Sequence, residues 1–208
     1  MKLYGYFRSS AAYRVRIALN LKGLSYDSIP VNLLKAEHLG EAFRALNPQG
    51  RVPVLDIGEA MLLQSPAIIE YLDEVHPDPP LLPADPRSRA AVRAAAGVIG
   101  CDIHPLNNLS VLNYLKGPLG LDKEAVAAWY THWIRQGFEA LEAMIEPGPF
   151  AFGPHPTIAD IYIVPQVYNA RRFHVGMDAY PRIAAVDEAC ASLDAFRSAA
   201  PDRQPDAA

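Results

Sequence analysis

Cysteine is scarce: the chain of 208 residues has two, Cys101 and Cys190, far apart and outside any CxxC or zinc-ligand spacing. That excludes a disulfide framework or a structural zinc site as the organising feature, and the pair reads as two small buried thiols in a reducing cytosol. A strong charge of one sign is missing too. With 19 Lys and Arg against 23 Asp and Glu the formal net charge is −4, so nothing draws the whole surface toward nucleic acid or anionic membranes, and any anion site must be local. No apolar run reaches membrane-spanning length, and the opening MKLYGYFRSS lacks the apolar stretch of a secretory signal. Asp102-x-His104 has no third ligand at a helpful spacing, so no metal is expected.

What is present is an ordinary folded composition, 50% hydrophobic and 20% charged, long enough for one large domain or two modest ones. Prolines crowd HPDPPLLPADP, residues 76–86, and read as a stiff extended connection between residues 1–80 and 87–208. Before it the pattern alternates. KLYGYF suggests a strand; Ala11 to Lys22 a helix with an apolar face of Val15, Ala18, Leu19 and Leu21 and a stop at Gly23; YDSIPV a strand; AEHLGEAFRAL a helix; VPVLDIGEAMLL a hairpin turning at Asp56 to Gly58; and SPAIIEYLDEVH a helix with Ser65 as N-cap and Pro66 at its first position. The order βαβαββα is that of a thioredoxin-like domain. After the prolines the windows are helical: Arg87 to about Val111, Lys123 to Ile145, Ile158 to Phe173 and Pro181 to Arg197. Thr157-x-x-Asp160 is a capping box ahead of an apolar run, read as structural. The tail PDRQPDAA lacks apolar anchors and is expected to fray.

Within this frame Ser9 falls in the first strand-to-helix loop, at the positive end of a helix dipole, where a thioredoxin-like oxidoreductase would carry its CxxC pair. A hydroxyl there can donate to the thiolate of a ligand; alternatively Ser9 does no more than cap the helix. Val52-Pro53, a candidate cis bond, leaves the Val52 backbone free to pair with an extended peptide. Gln64-Ser65-Pro66 gathers an amide, a hydroxyl and bare helix N–H groups, a carboxylate pocket. Thiol stabiliser, backbone rail and carboxylate pocket together suit glutathione. Of the other conspicuous residues, Trp129 and Trp133 read as a buried packing pair, Arg14 and Arg16 as structural arginines reaching toward the second domain, and only one of Arg171 and Arg172 can face a cleft.

From Lys2 to Phe196 the chain resembles the zeta class of glutathione S-transferases, the maleylacetoacetate and maleylpyruvate isomerases, through YFRSSAAYRVRIALNLKG, NPQGRVPVL, LLQSPAIIEYLDE, DIHPLNNLSVL and PTIADIYIVPQVYNARRF. The resemblance implies an α/β thioredoxin-like domain followed by an all-helical domain, a cytoplasmic homodimer, an active site in the interdomain cleft, and glutathione as cofactor for cis–trans isomerisation of a small dicarboxylate-type substrate. It implies maleylacetoacetate, turned to fumarylacetoacetate in aromatic amino acid catabolism; alternatives are maleylpyruvate in gentisate-type degradation, a general conjugating transferase, or a non-catalytic scaffolding module. Carried onto this sequence, it assigns Ser9, with neighbouring Ser10, to the thiolate, Val52 to the cysteinyl backbone, and Gln64 and Ser65 to the γ-glutamyl carboxylate. It assigns His38 and Gln49 to the glycyl end and turns Asp102, His104, Asn107 and Asn108 toward the peptide, within the subunit or across the dimer. Arg8 and Arg172 would meet the substrate's carboxylates. Where the family has S-S-C-x-W this chain has Ser9-Ser10-Ala11-Ala12-Tyr13, without the auxiliary thiol. Leu109 and Ser110 stand where maleylpyruvate isomerases can place arginines.

Overall fold

The computed structural model describes residues 1–207, which form two compact units. Met1–Leu81 makes up most of the first, joined by the chain from Ala191 onward; Leu82–Cys190 is the second.

The first unit is built on four short strands, β1 (Lys2–Gly5), β2 (Asp27–Pro30), β3 (Val54–Asp56) and β4 (Met61–Leu63), in the order β2-β1-β3-β4. β2 runs parallel to β1, as a helical crossover requires. β3 runs antiparallel to both β1 and β4, and the β3–β4 turn closes where the Gly58 N–H donates to Asp56 Oδ1 with Gly58 at φ +92°. Helix α1 (Ser10–Leu21) packs on α3 (Ser65–Val75) and also on α9 (Asp194–Ala199). Covered from both sides, it buries every residue from Ser10 to Leu19, more than the one-sided apolar face the sequence suggests. It ends at Gly23, whose φ of +65° suits a residue without Cβ. Lys22 is wholly buried there, donating to Asp73 Oδ1 and to the Pro79 carbonyl, both at 2.6 Å.

Three local expectations change in this unit. The second helix is broken, into a 3₁₀ turn (Glu37–Leu39) and α2 (Glu41–Leu46), because Gly40 is extended between them. The N-cap of α3 is Gln64, at φ +67°, so Ser65 and Pro66 occupy its first two positions. The tail is not frayed: Pro201 is buried in a 3₁₀ turn (Pro201–Arg203), Gln204 Nε2 donates to the carbonyls of Ser198 and Ala200, and Asp206 Oδ2 accepts the Phe7 N–H.

The second unit is helical, with a core that includes Val92, Ile99, Ile103, Ile134, Phe138, Leu141, Ile161 and Ile183. The window from Arg87 divides into α4 (Pro86–Gly97), a π-helical segment (Val98–Ile103) and α5 (Leu109–Lys116), broken by Pro105 and by Asn108, the cap of α5. Cys101 is exposed on the π segment, contrary to the expectation of burial, whereas Cys190 is buried and burial raises its thiol pKa. α6 (Lys123–Met144) passes close enough for a Cβ on Gly137 to meet Ile103 Cδ1 at 2.3 Å. The capping box opens α7 (Ile158–Arg172): the fully buried Asp160 accepts the N–H groups of Thr157 and Ala151 and the Thr157 hydroxyl. The last helical window is broken after α8 (Pro181–Ala191), and α9 belongs to the first unit.

Candidate functional site

Strand directions bring the predicted glutathione residues of the first unit together. Tyr4 pairs with Val54 and Val54 with Leu63, so the exit of β1, the entry of β3 and the exit of β4 share one end of the sheet. Ser9 follows the first, Val52 precedes the second, and Gln64 and Ser65 follow the third.

Ser9 is the N-cap of α1, with φ −69° and ψ 115°, and its hydroxyl oxygen accepts the Ala12 N–H at 3.2 Å. The two functions proposed for it are compatible. A hydroxyl has two acceptor sites and one donor, and accepting from the helix leaves its own proton to give. Ser10, one step on, is buried at 7% exposure. Arg8 donates through Nη2 to the Tyr6 hydroxyl at 3.0 Å, with its guanidinium 4.9 Å from the Phe7 ring centroid. Phe7 is held at both ends, its N–H by Asp206 and its carbonyl by Arg16 Nη2 at 3.0 Å. Arg16 is buried and its Nε donates to the Ala199 carbonyl; it is a structural arginine, but the segment it reaches belongs to the first unit and not to the second as expected.

Val52–Pro53 is a cis peptide, and the ladder begins only at Val54. The turn before it is set by Asn47, a residue the sequence reading passed over: buried at 2% exposure, it donates to the Arg51 carbonyl at 2.6 Å and accepts the Gln49 N–H. The N-P-Q-G stretch carried that signal. Gly50, at φ +59°, lies against the His38 carbonyl, where a Cβ would come within 2.9 Å. His38 thus joins the Gln49 turn; its Nδ1 is buried without a partner among the described residues, and burial, helped by Arg44, lowers its pKa. Gln64 Nε2 donates to Gln49 Oε1 at 2.6 Å. Ser65 is 4% exposed at the start of α3.

In the second unit, four predicted peptide-facing residues lie at the end of the π segment and just beyond it. Asp102 is exposed and His104 half-buried. Asn107 and Asn108 have structural work: Asn107 Nδ2 donates to the Tyr130 carbonyl at 3.1 Å, and Asn108 Oδ1 accepts the N–H of Ser110 at 2.9 Å and that of Val111 at 3.3 Å. Asn107 Oδ1 is left without a partner among the described residues. The adjacent arginines diverge. Arg171 pairs with Asp187 at 2.6 Å, whereas the exposed Arg172 lies over the Phe173 ring, which also stacks on Tyr130 with ring centroids 3.6 Å apart. The Tyr130 phenol is pushed up by burial against the pull of Arg172. Trp129 and Trp133 do pack against each other, edge to face, but both are half-buried rather than buried as expected, and Trp129 Nε1 donates to the Leu106 carbonyl. Among the described residues no group of three or more His, Cys, Asp or Glu could hold a metal, and no helix is long and apolar enough to cross a membrane.

Comparison with known proteins agrees with this two-unit fold. Residues 3–80 match the family model for the glutathione S-transferase N-terminal domain, and residues 123–186 that for the C-terminal domain. The chain is 55% identical to a maleylpyruvate isomerase of Ralstonia sp, over 100% of both chains. It is 54% identical to a maleylacetoacetate isomerase of Pseudomonas aeruginosa, over 99% of this chain and 98% of that one. Among solved structures, the holo form of a maleylpyruvate isomerase described as a bacterial glutathione S-transferase of the zeta class matches with TM-score 0.99 at 55% identity over 100% of both chains. A maleylacetoacetate isomerase of Methylobacterium extorquens AM1, solved with bound malonate and glutathione, matches with TM-score 0.97 at 38% identity, again over 100% of both. With a thioredoxin-like unit, a helical unit and likeness along its whole length to proteins of this kind, the chain belongs to the glutathione S-transferase family, in its zeta class.

Proposed function

We propose that this protein is a glutathione-dependent cis–trans isomerase of maleylacetoacetate, giving fumarylacetoacetate in aromatic amino acid catabolism. The observation that carries the reading is the gathering of Ser9, Val52, Gln64 and Ser65 at one end of the sheet, in a chain related over its full length to isomerases of maleyl keto acids.

The residues present fit glutathione. The unpartnered His38 Nδ1 beside the Gln49 turn suits a glycyl carboxylate or amide. Val52, outside the ladder, offers its backbone to the cysteinyl residue, and Ser65 with the N–H groups of α3 offers a seat for the γ-glutamyl carboxylate. When bound, glutathione supplies the sulfur nucleophile that turns the conjugated cis double bond into a rotatable single bond and is expelled afterwards. Ser9 holds its proton toward that sulfur and, with the α1 N-terminus, favours the thiolate. Arg172 and Arg8 hold the substrate's carboxylates and offset the charge that develops on its carbonyl oxygen. Asp102, His104 and Asn107 are assigned to the peptide, with Asn108 acting through the cap of α5. Homodimeric assembly and a cytoplasmic location belong to the same reading and rest on the family resemblance.

Maleylpyruvate is the second reading, favoured by the 55% identity to the Ralstonia enzyme. Ser110 weighs against it: the residue helps close the cap of α5 through Asn108 Oδ1, and no arginine stands there. Comparison of kcat/KM for the two maleyl acids at one glutathione concentration separates them. Preference for maleylacetoacetate is expected, preference for maleylpyruvate transfers the assignment to the second reading, and turnover of neither contradicts both.

A further inference from the structure

Only four residues, Tyr6 to Ser9, connect β1 to α1, so the direction of the Ser9 hydroxyl depends on how the peptides just before it are held. Phe7 is held from outside the loop on both sides. Its carbonyl accepts Arg16 Nη2 at 3.0 Å, and its N–H donates to Asp206 Oδ2 at 3.0 Å, from a residue 199 positions later. The grip is built in depth: Arg16 is 3% exposed and also takes the Ala199 carbonyl at 2.8 Å, where α9 ends. Gln204 ties the following turn to Ser198 and Ala200, which brings Asp206 back to the loop. Phe7 in turn carries the Arg8 guanidinium over its ring.

We propose that the C-terminal tail is a working part of the glutathione site, with Asp206 a positioning residue that, together with Arg16, fixes the Phe7 peptide and thereby aims the Ser9 hydroxyl and the Arg8 guanidinium. This rests on the assignment of Ser9 and Arg8 given above. Without Asp206 the Phe7 N–H loses its acceptor, the loop gains backbone freedom, and a hydroxyl that must meet sulfur at hydrogen-bond distance spends less time in place. Misplacement on the order of 1 Å can cost about a hundredfold in rate; a loop still held by Arg16 should lose less, roughly tenfold.

The test uses the full chain with Asp206→Ala, Asp206→Asn and, on the same tail but exposed, Asp202→Ala. Ultraviolet absorbance of the thiolate against pH gives the pKa of the bound thiol with glutathione alone; kcat for maleylacetoacetate and the thermal midpoint complete the set. Asp206→Ala should raise the bound-thiol pKa and lower kcat about tenfold at a near-wild-type midpoint. Asp206→Asn, whose carboxamide oxygen still accepts the Phe7 N–H, should restore most of both, and Asp202→Ala should match wild type. The thiol titration needs no maleyl acid, so a raised pKa in Asp206→Ala upholds the inference even if the substrate assignment fails. A wild-type titration and kcat in Asp206→Ala would overturn it, as would a loss that follows a fallen midpoint and is not restored in Asp206→Asn.

Discussion

Ser9 and Ala12 are joined across the first turn of α1, the serine hydroxyl accepting the alanine N–H at 3.2 Å. One side chain therefore caps a helix and keeps its own proton to give, and substitutions can part the two roles. Ser9→Ala should cost about 1 kcal/mol of stability through the lost cap and roughly 10–100-fold in kcat, with glutathione still bound. Ser9→Asn keeps a capping oxygen without a hydroxyl, so it should recover stability and leave kcat low. Chemical denaturation beside steady-state kinetics checks the pair; recovery of both in Ser9→Asn would reduce Ser9 to a cap.

Ser65→Ala probes the carboxylate seat. It should weaken glutathione by about 1–3 kcal/mol, the worth of a hydrogen bond to a charged group. Because Gln64 is the N-cap of α3, the helix should lose little stability. Calorimetric titration with glutathione measures the first effect and thermal unfolding the second.

Arg171 and Arg172 are adjacent and should behave oppositely. Arg172→Ala should raise KM for the maleyl acid and lower kcat/KM while glutathione affinity stays near wild type. Arg171→Ala should leave these kinetics alone, since its guanidinium is spent on Asp187. Equal kinetic losses in the two variants would remove the distinction.

Asp187 gives that pair a signature in pH. Burial pushes its carboxyl above the ordinary range while Arg171 pulls it down. A carboxyl with a folded pKa above its unfolded one binds more proton in the folded state between the two values, so stability falls as pH rises through that window. Arg171→Ala removes the opposing pull, raises the folded value further and should deepen the fall, whereas Arg172→Ala should not. Urea unfolding from about pH 4 to about pH 7 measures it; identical profiles for wild type and Arg171→Ala would contradict the account.

The order of elements from Lys2 to Val75 was legible because each strand and helix carries its own period and its own stop, Gly23 and the Asp56–Gly58 turn among them. The placement of the candidate residues was legible for the same reason: Ser9, Val52 and Gln64 stand at element boundaries that short-range signals mark. Features set by long-range contact were not. No local cue reveals that Gln64 takes φ +67° and displaces Ser65 from the cap, or that a tail without apolar anchors is held by Arg16 and Asp206 against a loop at the other end of the chain. The breaks at Gly40, Pro105 and Ser192 lay inside windows whose apolar period continued past them, so each window read as one helix.

The central claim is that glutathione is returned unchanged after each isomerisation. The most direct measurement follows maleylacetoacetate by absorbance with glutathione far below the substrate concentration, and examines the product by mass spectrometry. Many turnovers per glutathione, a trans product and no thioether are predicted; one turnover per glutathione with an accumulating conjugate would contradict the isomerase assignment and leave a conjugating transferase.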